Sequence, residues 1–111
     1  MLKPIPKRLL PNSVIYKPYI ANSGEGASYG TSITLSNVKV EEKKQLFANR
    51  DGKEIVGNAI LFYDYVNSKG LTSEPTNHGT IDFNGKIYHI VDTETLRGNS
   101  NLPHHYEILL K

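Results

Sequence analysis

Thr80-Ile81-Asp82-Phe83-Asn84-Gly85-Lys86-Ile87-Tyr88-His89-Ile90-Val91 decides the fold. Two strand-like runs flank an Asn-Gly pair. A type I′ turn needs positive φ at both central residues, and Asn-Gly meets that need at little steric cost. A two-residue loop at Asn84-Gly85 sets Ile81 opposite Tyr88 and Asp82 opposite Ile87. A second signal, Asp51-Gly52, lies between Lys44-Gln45-Leu46-Phe47-Ala48 and Glu54-Ile55-Val56-Gly57-Asn58-Ala59-Ile60. Its register sets Ala48 opposite Ile55, Phe47 opposite Val56 and Leu46 opposite Gly57, where the glycine leaves room for a close crossing or a bend. Two such hairpins predict a small all-β protein, an antiparallel β-barrel of about six strands with long loops.

The other strands follow outward from these hairpins. Ser13 to Ile20 reads as the first strand, with Val14, Tyr16 and Ile20 on one face. Pro18 removes a ladder donor, so this strand lies at an edge or ends early. Asn22-Ser23-Gly24-Glu25-Gly26-Ala27-Ser28 is a connection, and its Gly-x-Gly lacks the helix and lysine of a phosphate loop. Tyr29 to Val40 is the second strand. Its inward parity switches between Leu35 and Val38, so a bulge is expected at Ser36-Asn37. Glu54 to Val66 is apolar on both parities around residues 59–63, which marks a central strand covered on both sides. After the polar stretch Asp92 to Pro103, Tyr106, Ile108 and Leu110 alternate along a last strand.

Residues 1–12 carry Pro4, Pro6 and Pro11 among Lys3, Lys7 and Arg8, and predict an extended N-terminal arm. Residues 67–79 form the longest non-periodic segment, a length usually kept for function. The 111 residues predict one domain spanning 1–111.

Composition removes several function classes. Net charge is +2, with 13 Lys and Arg against 11 Asp and Glu spread along the chain, so charge makes no case for nucleic acid or membrane. There is no cysteine, hence no disulfide framework and no thiolate zinc site. The first eight residues lack the apolar run of a signal peptide, and no apolar run approaches the ~20 residues of a membrane span.

No cofactor or catalytic motif is present. The histidines are His78, His89, His104 and His105. Neighbours on a strand point to opposite faces, so His104 and His105 are not expected to share a metal ion. Asp92 and Glu94 share a strand face, but no second group supports acid–base work. No Gly-x-Ser-x-Gly elbow occurs. Tyr63, Tyr65, Phe62, Tyr88 and Lys86 allow an alternative reading as an aromatic face of an OB-like module for single-stranded nucleic acid. The competing reading of the same residues is barrel core plus interface tyrosines.

Three stretches carry a resemblance. Pro6-Lys7-Arg8-Leu9-Leu10-Pro11-Asn12-Ser13-Val14-Ile15-Tyr16 resembles the start of minor capsid proteins of tailed phages and prophages. Ala59-Ile60-Leu61-Phe62-Tyr63-Asp64 resembles their central strand. Phe83 to Val91, then Pro103-His104-His105-Tyr106-Glu107-Ile108, resembles their ending. The resemblance implies a non-enzymatic virion protein, a head-closure or head–tail connector subunit at the head–tail interface, made in the bacterial cytoplasm. Its implied partners are itself, as a ring formed on a template, portal or adaptor and tail-side connector proteins, and non-specific contact with packaged DNA. A tail-completion or tail-terminator role is the neighbouring alternative. On this reading the arm and residues 67–79 are contact segments that order on assembly. Arg8, Tyr63, Tyr65, Lys69, Leu71, Glu74, Pro75 and Arg97 are the expected partner-interface residues.

Overall fold

The computed structural model describes residues 3–20, 28–48, 54–97 and 103–111. A 3-10 turn at Lys7–Leu9 leads into β1 (Asn12–Lys17), β2 (Tyr19–Ile20), β3 (Ser28–Tyr29) and β4 (Ile33–Glu41). These are followed by β5 (Gln45–Ala48), β6 (Glu54–Gly57), β7 (Ala59–Asp64), β8 (Thr80–Phe83), β9 (Lys86–Arg97) and β10 (Pro103–Leu110). No α-helix occurs among the described residues. Six strands close a barrel in the order β1-β4-β7-β10-β9-β8, every pair antiparallel. β2 with β3, and β5 with β6, form two small ribbons outside it. This is the expected all-β barrel.

The deciding hairpin forms as its sequence predicts. Asn84 and Gly85 have φ of 54° and 86°, and Ile81 pairs with Tyr88 and Asp82 with Ile87. The Asp82 carboxylate accepts the Gly85 N–H at 3.0 Å. Nothing lies within 4 Å of a Cβ built on Gly85, so only its φ resists substitution. Gly85→Val should therefore lower stability by about 1–2 kcal/mol, the cost of a β-branched residue at positive φ. A denaturant midpoint unchanged from the native chain would contradict that assignment.

The parity switch in β4 is also real. Asn12 pairs with Val38 but Ser13 with Ser36, so Asn37 bulges out, at a φ of 54°. Leu35 and Val38 thereby both reach the core. Pro18 stops β1, which sits between β4 and β8 and is no edge. The break costs Ile20 its expected inward place: it is 49% exposed.

The second hairpin departs from expectation by one residue. Ala48 pairs with Glu54, Phe47 with Ile55, Leu46 with Val56 and Gln45 with Gly57. Five residues separate the paired ends, and an odd number cannot be centred on a two-residue turn. Asp51-Gly52 itself lies outside the described residues, as do residues 22–27 and 98–102. The close crossing expected at Gly57 exists, against another strand. A Cβ there would overlap Leu109 Cδ1, on the outward parity of β10.

The core is the barrel interior, filled by inward residues such as Val14, Leu35, Leu61, Ile81, Ile90 and Ile108. β7 is buried on both parities, as its sequence predicts. Ala59, Leu61 and Tyr63 point inward. The outward Asp64 is 0% exposed and is covered by the chain's own arm, not by a partner.

Candidate functional site

β7 ends, β9 ends and β10 begins at one mouth of the barrel. Tyr106 pairs with Tyr63 on one side and with Thr95 on the other. Tyr63 shares its parity with Leu61, and Tyr106 with Ile108, so both rings turn inward at the rim. Their centroids lie 6.1 Å apart. Tyr65 follows on the same parity and is exposed. Together with Leu71, Thr72 and Ser73, these tyrosines line a pocket of about 140 Å³.

The segment 67–79 builds the other half of this mouth, and the barrel's own groups order it. The Ser68 hydroxyl accepts from Asp64 N–H at 2.8 Å and donates to the Asn37 carbonyl, tying the segment's start to the β4 bulge. Lys69 and Ser36 exchange both backbone hydrogen bonds at 3.0 Å. Leu71 N–H donates to the Tyr63 hydroxyl at 3.0 Å, and Thr76 N–H to the Tyr16 hydroxyl at 3.0 Å. Thr72, Ser73 and Glu74 remain as an exposed tip. The Thr95 hydroxyl donates to Glu74 Oε1 at 3.2 Å, drawing the tip toward β9.

The mouth is weakly charged. Burial pushes the Tyr63 hydroxyl above the ordinary tyrosine range, opposed by the Leu71 hydrogen bond. Burial likewise raises Tyr106, helped by the Glu74 carboxylate and Tyr65 and opposed by Arg97. Both rings therefore stay neutral at physiological pH, each with an apolar body and a hydroxyl tip. That chemistry suits a wet protein–protein contact. The pocket is smaller than the ~300–1,000 Å³ of sites for drug-sized ligands and cofactors.

Five of the eight expected interface residues meet here: Tyr63, Tyr65 and Leu71 in the wall, with Glu74 and Arg97 beside it. Tyr63 is 4% exposed and belongs mainly to the core. Pro75 is buried. Lys69 is exposed, and its ammonium donates to the Val66 carbonyl at 3.2 Å. Arg8 is exposed on the Lys7–Leu9 turn. The aromatic face required by the nucleic-acid alternative does not form. Tyr63 and Tyr88 lie inside the barrel, while Phe62 alternates to its outside.

The premise that neighbouring histidines on a strand point to opposite faces does not hold at His104 and His105. The register slips between Pro103 and His105, and this bulge cancels the alternation that would part the rings. His104 Nδ1 and His105 Nδ1 lie 2.8 Å apart. No group of three or more His, Asp or Glu among the described residues is placed to hold a metal ion. Sequence reasoning also missed Tyr106 as a rim residue. Its parity with Ile108 and Leu110 was the available signal.

At the mouth, the exposed Tyr65 and the exposed 72–74 tip give the barrel a surface whose chemistry suits protein contact. A scan against protein families matches residues 6–110 to the minor capsid proteins. The chain belongs to this family, and is a non-enzymatic structural component of the virion that assembles with other virion proteins. Searches of curated proteins and of solved structures found no match.

Proposed function

We propose that this minor capsid protein is a head-closure subunit. It assembles as a ring at the portal of a tailed phage or prophage, at the head–tail interface, after synthesis in the host cytoplasm. The observation that carries the reading is the meeting of the exposed 72–74 tip with the tyrosine rim at one barrel mouth. Barrel closure leaves no open strand edge in the main sheet, so contacts do not add a strand to that sheet. A ring interface is heterologous, joining two different patches of neighbouring copies. The rim of one copy, with Tyr65, Leu71, Glu74 and Arg97, is one such patch. Arg8 and Lys69 extend the contact toward the portal, the tail-side connector or packaged DNA.

The test is electron microscopy of particles from the source strain lacking this gene, complemented by native protein or by a Tyr65→Ala, Glu74→Lys double variant. The expected result without the gene is emptied heads separate from finished tails. The variant, folded and expressed, should rescue at least roughly tenfold fewer infectious particles, as lost hot-spot contacts at an interface do. Filled heads with tails of abnormal length would instead indicate tail termination. Normal infectious particles without the gene would overturn both roles.

A further inference from the structure

The N-terminal arm is held to the barrel by an unbroken series of hydrogen bonds. His104 Nε2 lies 2.7 Å from the Lys3 carbonyl oxygen. His104 Nδ1 lies 2.8 Å from His105 Nδ1. His105 Nε2 lies 2.9 Å from Glu107 Oε2. Two residues along the arm, Ile5 N–H donates to Asp64 Oδ1 at 2.9 Å, and the Ile5 carbonyl accepts from Asn67 Nδ2 at 2.7 Å.

The ends of the series fix its proton count. A carbonyl oxygen only accepts, and so does an ionised carboxylate. His104 Nε2 must therefore carry a proton for Lys3, and His105 Nε2 one for Glu107. The Nδ1–Nδ1 contact needs a third. Three protons on four ring nitrogens make one ring neutral and the other cationic. Two neutral rings supply only two protons and leave one contact unbonded. Two cationic rings supply four and set N–H against N–H at 2.8 Å. The series is complete only with one bound proton beyond the two neutral rings.

We propose that His104, His105 and Glu107 form a latch that holds the arm while it carries this one extra proton, and that releases the arm when acid adds a second. The charged groups on the surrounding strands favour the singly charged state. Glu107 takes the cation directly, Glu94 of β9 pairs with Glu107, and Asp64 of β7 pairs with His105. Arg97 of β9, opposite Pro103, and Lys3 on the arm oppose a second positive charge. The backbone of the bulge cannot relieve the clash, because the His104 carbonyl accepts from Tyr65 N–H at 3.1 Å. The His104 ring is the part free to swing, and swinging takes the donor from Lys3. Histidine is the side chain whose charge ordinarily changes between pH 5 and 8, so that interval is where the latch is tested.

Nuclear magnetic resonance of the full chain tests the latch. At pH 7 the histidine ¹⁵N spectra should show one of the two rings protonated at both nitrogens, and the other only at Nε2. Between pH 7 and pH 5 the hydrogen-exchange protection factor of Ile5 should fall about tenfold, while that of Ile108 in the barrel wall stays constant. His104→Gln offers the Lys3 carbonyl an N–H donor that does not titrate, and should keep Ile5 protected at both pH values. His104→Phe, with no donor, should leave Ile5 unprotected at both. The latch is overturned if both rings are singly protonated at pH 7. It is also overturned if native Ile5 protection holds from pH 7 to 5, or falls equally in His104→Gln, since carboxylates such as Asp64 would then control the arm.

Discussion

Asp64→Ala should destabilise the protein by about 3–5 kcal/mol, since three backbone donors lose their acceptor at about 1–3 kcal/mol each. The Asp64 side chain is fully buried on the outside of the barrel. Its Oδ1 accepts from Ile5 N–H at 2.9 Å, and its Oδ2 from Val66 N–H at 3.0 Å and Asn67 N–H at 2.7 Å. Alanine removes the acceptor of all three donors at once. The damage spreads because Asp64 joins three segments. Its backbone N–H donates to Ser68, whose hydroxyl in turn reaches Asn37 in the β4 bulge. Asp64→Asn is the informative companion. Its amide oxygen can keep the Val66 and Asn67 donors, while its NH₂ then faces Ile5 N–H with no acceptor. That variant should lose mainly the arm, costing about 1–2 kcal/mol. Urea denaturation with an unchanged m-value reads both effects. An Asp64→Ala loss below about 1 kcal/mol would mean that water replaces the carboxylate at this corner.

The features readable in the sequence were those set by local chemistry. Asn84-Gly85 fixed a turn type and thereby a register, because both residues accept positive φ. The Leu35 and Val38 parities located the Asn37 bulge. Pro18 ended a strand. Failures occurred where distant residues decide. The β5–β6 register slipped by one although a turn dipeptide lay between the strands. The close packing of Gly57 on Leu109 positions β6, and those two residues are far apart in sequence. The mouth was half legible. Tyr63 and Tyr65 were singled out, but their meeting with Tyr106 comes from β7–β10 pairing, which spacing does not encode. Alternation kept His104 and His105 apart until a bulge beside Pro103, a signal not read as one in the sequence, brought them together. Residues 67–79 read as a segment awaiting a partner. Their polar sequence hid how many of their groups the barrel itself satisfies.

Gly70→Ala should cost about 3–5 kcal/mol, combining the strain of an L-residue at positive φ with overpacking against fixed backbone. Gly70 has a φ of 126°, and a Cβ there would meet Thr34 O at 2.5 Å and Leu35 Cδ2 at 2.7 Å. The first of those atoms belongs to the backbone of β4, which is paired with β1 at Thr34 and cannot retreat. The approach is this close because the segment continues the barrel wall. β7 pairs with β4 through Val38 opposite Tyr63, and Lys69 then takes the place opposite Ser36. Leu71, next along, packs on the core and donates its N–H to Tyr63 at the rim. Forcing Gly70 away from β4 would therefore loosen the Lys69 bridge, the Leu71 contact and one side of the tyrosine pocket together. The variant should lower the thermal midpoint by at least about 10 °C, given 4–8 °C per kcal/mol for a domain near this size. Surviving folded protein should also bind assembly partners more weakly than Gly85→Val protein, whose turn lies outside the mouth and whose added Cβ has nothing within 4 Å. If Gly70→Ala matched Gly85→Val in both stability and assembly, the segment 67–79 would not be part of the wall, and the rim would owe its shape to the tyrosines alone.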